Sequence, residues 1–332
     1  MLRLPPFTYE PATSAQHAAA LLRKYGADAL PVSAGTDLYA NMKQRLFTPK
    51  VLVGLRSIPG LRFIVYNDVT GLTLGALCTL ADVAESPVVC KYYPALAAAA
   101  ASISTPPLRN MGTLGGNVCV DTRCNYYNQN LDWRKALGYC MKKDGDICRV
   151  ALSSPKCVAV NSSDTAPVLQ AFRGVLHLSS ADGERDVPVD RYYINDGINA
   201  WNKQPAEIVT KVSLPPPKPR TGSAYRKLRL RNSFDFPILG VAVVLQTDGN
   251  GVCCDASIVL NAVASKPLAV EAAAKALTGS RLESGALHAA AEATYAAGRP
   301  LDNTSGSIPY RKRMIRVIAL RALQEAAALA AA

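Results

Sequence analysis

"PVSAGTDLYANMK" (residues 31–43) passes from a short apolar run through a glycine turn into a segment with helical spacing. With "ALPV" leading into the turn and "KVLVGL" (50–55) beyond the helix, it reads as a small βαβ-like unit. A helix over "AQHAAALLRKYG", capped by Thr13 or Ser14 and stopped by Gly26, precedes it. Glycine lets backbone amides approach a phosphate closely, and a helix start behind the turn adds its dipole. A second glycine-rich stretch, "GTLGGN" (112–117), offers similar chemistry. Neither has the GxGxxG pattern of a Rossmann unit, and each taken alone reads more readily as a tight turn than as a phosphate site.

Outward from these motifs the chain alternates regular segments. "RFIVYND" and "GLTLGAL" read as strands, "TLADVAES" and "CKYYPALAAAAASIS" as helices. "TPPLRN" breaks the pattern, and "GTLGGNVCV" resumes it as strand or loop. "TAPVLQAF", "GVLHLSS" and "AEIVTKVSLP" are regular again, and "PPPKPRTGS" (215–223) is the clearest linker. "DFPILGVAVVLQ" and "VCCDASIVL" flank "TDGNG" as a hairpin, and three alanine-rich helices follow near 267–277, 284–296 and 309–331. The last is basic at intervals but reads as a packed terminal helix, not a membrane-surface one.

Four of the nine cysteines lie in one aperiodic stretch, "RCNYYNQNLDWRKALGYCMKKDGDICRVALSSPKC" (123–157), with 15, 7 and 8 residues between successive members. Irregular backbone of this length needs something to organise it. Structural zinc sites present cysteine pairs two to four residues apart, and none occurs among Cys124, Cys140, Cys148 and Cys157. Four thiolates also meet the ligand count of a [4Fe–4S] cluster. Spacing therefore leaves iron–sulfur, zinc and coincidental or reactive cysteines open. Tyr126, Tyr127, Trp133 and Tyr139 would shield a metal or simply fill the loop. Cys78, Cys90, Cys119, Cys253 and Cys254 read as packing residues, and an odd cysteine count in a chain of this length argues against a disulfide framework. Seven basic residues (Arg123, Arg134, Lys135, Lys142, Lys143, Arg149 and Lys156) stand against four acidic ones around the thiols. They read as a solvated loop or as a docking face for an acidic electron donor.

With 332 residues, 49% hydrophobic and 19% charged, the chain suits two or three domains with true cores. It offers no run of ~20 apolar residues for a membrane span, and its start lacks a signal-peptide h-region, so a cytoplasmic location is expected. The net charge of +12 comes without basic runs and with only 7% aromatics, which gives nucleic-acid binding little support. His17, His177 and His288 form no paired motif, which argues against histidine-based zinc catalysis.

"PVSAGTDLYANMK", "TLGALCTLADVAE" and "NMGTLGGN" resemble the flavin-binding motifs of the molybdenum hydroxylase family, which includes xanthine and carbon monoxide dehydrogenases. The resemblance continues in order through "SSDTAPVLQAF", "AEIVTKVSLPPP", "YRKLRLRNSFDFPILGVAVVL" and "YRKRMIRVIALRAL". It implies an α+β fold: a vanillyl-alcohol-oxidase-type FAD-binding domain of two α+β subdomains over residues 1–218, with an insertion at about 119–160, and a CO-dehydrogenase-flavoprotein-like α+β domain over 219–332. It implies FAD held by Pro31, Val32, Ser33, Ala34, Gly35, Thr36, Asp37 and Leu38, with the amides of Ser33 to Thr36 and the Thr36 hydroxyl on the pyrophosphate. Thr113, Gly115, Gly116 and Asn117 would form the second wall, Asp164 would contact the cofactor, and Val209 would pack on the flavin. Lys227 would stand beside it as a cation that stabilises the reduced, anionic form.

The cysteine-rich insertion is similar to that of the 4-hydroxybenzoyl-CoA reductase branch, which implies Cys124, Cys140, Cys148 and Cys157 as [4Fe–4S] ligands. On that resemblance the chain would be an electron-transfer subunit without catalytic residues of its own. Ferredoxin would feed the cluster, then FAD, then [2Fe–2S] centres on a small subunit and molybdenum on a large one, in an (αβγ)2 heterohexamer that removes a phenolic hydroxyl from an aryl-CoA. Because the thiols lie outside the flavin motifs, cluster and flavin would be lost independently. The alternative is the flavoprotein of an oxidising molybdenum hydroxylase, xanthine or CO dehydrogenase-like, that hands electrons outward. A third reading is a basic nucleic-acid-binding protein with a structural zinc loop. "TPPLRNM" and the extra thiol Cys119 depart from the family pattern.

Overall fold

The computed structural model describes residues 2–332. Its first layer is a parallel sheet in the order β1-β3-β2, built from β1 (Thr8–Pro11), β2 (Ala29–Val32) and β3 (Val51–Gly54). Between the first two strands runs α1 (Ala15–Tyr25). Ser14 caps it by accepting the His17 amide at 3.0 Å, and Gly26 ends it at φ 53°. Its apolar stripe, with Ala18, Ala19 and Leu22 buried, faces the sheet. The glycine turn and α2 (Leu38–Lys43) join β2 to β3, as the βαβ reading requires. Strand β1 escaped that reading because its residues are mostly exposed and carry little apolar alternation.

A five-stranded antiparallel sheet, order β4-β5-β8-β6-β7, forms the second layer. After β4 (Ile64–Asn67) and β5 (Gly71–Gly75) the chain leaves the sheet for a helical excursion. This runs through α3 (Leu80–Glu85), α4 (Pro87–Tyr92), α5 (Pro94–Ser102), α6 (Pro106–Arg109) and α7 (Leu114–Val118). Proline at the first turn sets the starts of α4, α5 and α6, where its missing N–H costs nothing. Two segments differ from the sequence reading. "TPPLRN" makes the single-turn α6 instead of a break, and "GTLGGN" makes α7 instead of strand or loop. The reason for the second is a cap: the Thr113 hydroxyl accepts the Gly116 amide at 3.1 Å, which outweighs the strand preference of the following Val-Cys-Val.

The cysteine-rich segment contributes only α8 (Leu131–Ala136) before α9 (Thr165–Ala171) returns the chain to the core. Then β6 (Val175–Ser180), β7 (Gly183–Pro188), α10 (Val189–Tyr192) and β8 (Ile208–Leu214) complete the sheet. Strand β7, sequence GERDVP, is charged and almost wholly exposed, so hydrophobic patterning does not reveal it.

The third layer is an antiparallel sheet, β12-β11-β10-β9, of β9 (Thr221–Leu228), β10 (Leu239–Thr247), β11 (Cys253–Asn261) and β12 (Leu268–Ala269). The β10–β11 hairpin falls where the sequence places it, while the linker is shorter than expected because Thr221 already belongs to β9. Helices α11 (Glu271–Leu277), α12 (Ser284–Ala297) and α13 (Ile308–Ala331) cover one face. Ile315, Ile318, Ala322, Leu323 and Ala326 of α13 are buried there, each large one contributing roughly 1.5–3 kcal/mol. Tyr225, Ala242 and Val259 of this sheet join the hydrophobic core built by Leu72, Leu74, Leu96 and Leu176, so the second and third layers share one interior. Among the described residues, no helix is long and apolar enough to cross a membrane.

Candidate functional site

Strand β2 delivers Pro31 and a buried Val32, and the chain leaves the sheet at Ser33. Gly35 sits at φ 71°, and a β-carbon there would run into the Tyr39 ring, so no larger residue fits. Among the described residues, the amides of Ala34, Gly35, Thr36 and Asp37 donate to no backbone carbonyl, and the Ser33 hydroxyl is buried without a partner. A run of free amides beside an orphaned hydroxyl makes an anion-binding concavity. The donor set fits a diphosphate such as that of FAD. Asp37 is different: its carboxylate accepts from Arg123 and from the Asn41 side-chain amide (2.9 Å), so it is committed inside the protein.

The second glycine motif faces the first. A β-carbon on Gly112 would lie 3.6 Å from the Thr36 hydroxyl. In α7 the Gly115 amide donates to the Ala76 carbonyl at 2.9 Å, and the Gly116 amide is spent on the Thr113 cap. Their amides are therefore not phosphate donors, contrary to what glycine-rich sequence suggests. Gly115 permits close packing, since a β-carbon would stand 2.8 Å from that of Ala76. Gly116 is exposed, and a β-carbon would meet only the Thr113 hydroxyl, at 3.1 Å. Asn117 accepts from the Ser163 hydroxyl (2.9 Å), the Thr165 amide (3.2 Å) and the Thr165 hydroxyl (2.7 Å). These bonds all use the side-chain oxygen.

Asp164 and Lys227 find each other. Lys227 Nζ donates to Asp164 Oδ2 at 2.8 Å with both side chains 3% exposed, and the Tyr225 hydroxyl donates to Asp164 Oδ1 at 2.6 Å. Lys227 also reaches the Ser102 carbonyl at 3.2 Å. The lysine's charge is paired with Asp164 in this arrangement. Val209 lies on β8 inside the shared core. Tyr225 was missed in the sequence, although it stands two residues before Lys227 and strand periodicity puts both on one face.

The four thiols converge. Cys124, Cys140, Cys148 and Cys157 are all buried and line one small cavity with Tyr126, Tyr127, Met141 and Lys142. Trp133 stays partly exposed and does not line it. Among the described residues, no three His, Cys, Asp or Glu side chains stand close enough to hold a single metal ion. Burial pushes the Cys124 thiol up to about 12 and the Cys157 thiol up to about 11. That is the reverse of a reactive cysteine, which is exposed and acidified. Arg123 and Val160 exchange two backbone bonds of 2.8 Å that close the neck of the loop, and Gly197 is so near that a β-carbon would stand 2.6 Å from Cys157 Sγ. All nine cysteines are free; Cys90 and Cys254 lie at the surface, not in the packing positions expected.

The basic face read from the loop is reduced by the fold. Arg134 is 1% exposed, and the Lys142 side chain is 6% exposed, its ammonium donating to Asp121 (2.7 Å), to the Gly197 carbonyl (2.7 Å) and to Thr122. The Arg123 side chain is 14% exposed, stacked 4.1 Å over the Phe236 ring. Lys135 and Lys156 remain exposed and Lys143 half-buried, beside exposed Leu137, Ile147 and Leu152, while Arg149 lines the thiol cavity and donates to the Tyr139 (2.8 Å) and Gly138 (2.9 Å) carbonyls. His177 joins Asp186 (2.6 Å) and Ser213 in the connectivity of a hydrolase triad. It lies across β6, β7 and β8 with Asp186 66% exposed, where water screens the pair and the sheet takes the backbone amides.

Residues 5–217 match the FAD binding domain in molybdopterin dehydrogenase, and residues 223–326 match the CO dehydrogenase flavoprotein C-terminal domain. The chain is 31% identical to the carbon monoxide dehydrogenase medium chain of Afipia carboxidovorans over 98% of each chain. It is 32% identical to the aldehyde oxidoreductase FAD-binding subunit of Escherichia coli (strain K12), over 80% of this chain and 84% of that one. The solved Cu,Mo-CO dehydrogenase in its cyanide-inactivated form matches with TM-score 0.81 at 30% identity, covering 98% of this chain and 99% of that chain. The two family matches together span nearly the whole chain and define a flavoprotein subunit. The chain belongs to the family of FAD-binding subunits of the xanthine and CO dehydrogenase type of molybdenum hydroxylases.

Proposed function

We propose that this chain binds FAD between residues 31–38 and 112–117 and serves as the electron-transfer subunit of an oxidising molybdenum hydroxylase. Its partners would be a [2Fe–2S] small subunit and a molybdenum large subunit. The observation that carries the reading is the run of unpartnered amides with the orphaned Ser33 hydroxyl, in a chain that matches flavoprotein subunits along its length. Bound FAD supplies a centre that exchanges electrons with partners in pairs or singly. The chain's residues hold and orient it: Ser33 to Thr36 take the diphosphate, Gly116 gives room, the Asn117 amide donates, and Asp164 with Lys227 and Tyr225 fixes the floor between layers.

A second reading is favoured by the thiol pocket. Cys124, Cys140, Cys148 and Cys157 would hold a [4Fe–4S] cluster, and the chain would work inward from ferredoxin, as in a 4-hydroxybenzoyl-CoA reductase. Four buried thiols around one cavity match the ligand count of a cluster, and free cysteines suit the reducing cytoplasm. Anaerobic purification with partner chains from the native host tests both readings. Bound FAD with roughly four irons on this chain, and aryl-CoA reduction driven by reduced ferredoxin, would favour the second. FAD without that iron, and substrate oxidation coupled to an acceptor dye, would favour the first. A chain retaining one zinc and no flavin would overturn both.

A further inference from the structure

We propose that the thiol pocket and the flavin loop are energetically coupled through α2, with Arg123 and Arg134 as positioning residues, so that loading the pocket tightens FAD binding. The inference rests on the reading of the four thiols as a cluster site.

Helix α2 begins where the free amides end, and the cysteine loop grips it at both ends. At the start, Arg123, adjacent in sequence to Cys124, holds the Asp37 carboxylate and reaches Asn41 Oδ1 at 3.5 Å. At the finish, Arg134 Nη2 donates to the Gln44 carbonyl at 3.0 Å and the Arg45 carbonyl at 3.1 Å. The same guanidinium faces Asp144, within the thiol loop, at 3.4 Å. Leu46 and Phe47, just past α2, pack in one cluster with Cys124, Cys140 and Cys157.

A helix of six residues has no stability of its own, so these contacts set where α2 and the preceding amides lie. They all come from a segment with one short helix, whose order depends on what its thiols hold. With the pocket loaded, both arginines stay desolvated against α2. With it unloaded, the loop can open, the guanidiniums regain water, Asp37 keeps only the Asn41 amide, and the carbonyls ending α2 lose Arg134. FAD contacts the amides that only the first arrangement holds in register. By linkage, FAD must then favour the loaded pocket to the same degree. This replaces the expectation that cluster and flavin are lost independently.

The test uses the full chain under anaerobic conditions, with FAD affinity followed by quenching of flavin fluorescence and iron measured colorimetrically. Stripping iron with a chelator should weaken FAD binding about tenfold or more, and removing FAD should speed loss of iron to the chelator. Arg134→Gln, which keeps every thiol, should bind FAD as weakly when iron-loaded as the stripped wild type does. If that variant does not fold, Arg123→Lys, which removes the fork that spans Asp37 and Asn41, serves instead. Iron taken up with unchanged FAD affinity would sink the coupling and leave the cluster reading standing. No iron uptake at all would sink the cluster reading, and the coupling with it.

Discussion

Gly115 and Gly116 are neighbours with different duties, and substitutions separate them. A β-carbon at Gly115 collides with Ala76, so Gly115→Val should cost roughly 1–3 kcal/mol through overpacking, read as a lower unfolding midpoint. At Gly116 a β-carbon meets only the Thr113 hydroxyl, which must give by a few tenths of an ångström, so Gly116→Val should cost less stability than Gly115→Val and lose FAD. Stoichiometric FAD in that variant would refute the placement of the cofactor. Lys142 shows where reading charge from sequence fails. Its stem and ammonium point inward to Asp121 and the Gly197 carbonyl, so Lys142→Met should destabilise by about 3 kcal/mol, measurable by urea unfolding. No linear pattern announces this, because a lysine beside another lysine in a polar loop looks solvated whichever way it turns.

At the scale of elements, the edge strand β7 pairs with β6 on one side, and one carboxylate ties it to the segment that leads into β8. Arg185 donates to both oxygens of Glu207 at 2.6 and 2.8 Å, and the Gln204 amide adds a third bond at 2.7 Å. The bond from Arg185, aided by that amide, holds the Glu207 carboxyl below its ordinary value near 4.5. Its folded form thus binds fewer protons than the unfolded chain just below that value. The stabilisation is complete above about pH 4.5 and is lost as pH falls through the lowered folded value. Arg185→Gln should therefore flatten the acid limb of stability against pH, checked by denaturation between pH 3 and 7. For the thiol loop, a donor that docks there must use the charges that remain outside. Lys135→Glu with Lys156→Glu should slow reduction by an acidic ferredoxin about tenfold at low salt and leave reduction by a neutral dye unchanged. An unchanged ferredoxin rate would place the donor elsewhere.

Across the whole molecule, the Lys227–Asp164–Tyr225 group ties the third layer to the FAD-binding layers. Lys227→Met should cost roughly 3–5 kcal/mol, since it strands a buried carboxylate, while Tyr225→Phe should cost about 2 kcal/mol. Circular-dichroism melts of both would show it, and equal melting of both with wild type would mean the group carries no load.

The first βαβ-like unit, the β10–β11 hairpin and the three terminal helices could be read from sequence, because apolar periodicity and capping are local. So could the two glycine motifs and the four cysteines as candidates. Strands β1 and β7 and helices α6 and α7 could not, since the two strands are mostly exposed and lack apolar alternation, α6 is a single turn and α7 depends on a single hydroxyl. Only the tertiary structure decided that the Gly115 and Gly116 amides are already spent, that Lys227 is paired with Asp164, and that the side chains of Arg123, Arg134 and Lys142 turn inward. The same holds for the grip of the thiol loop on α2. A residue's type and spacing determine what it can bond. Which partner takes that bond depends on groups tens of residues away, and those are brought near only by packing.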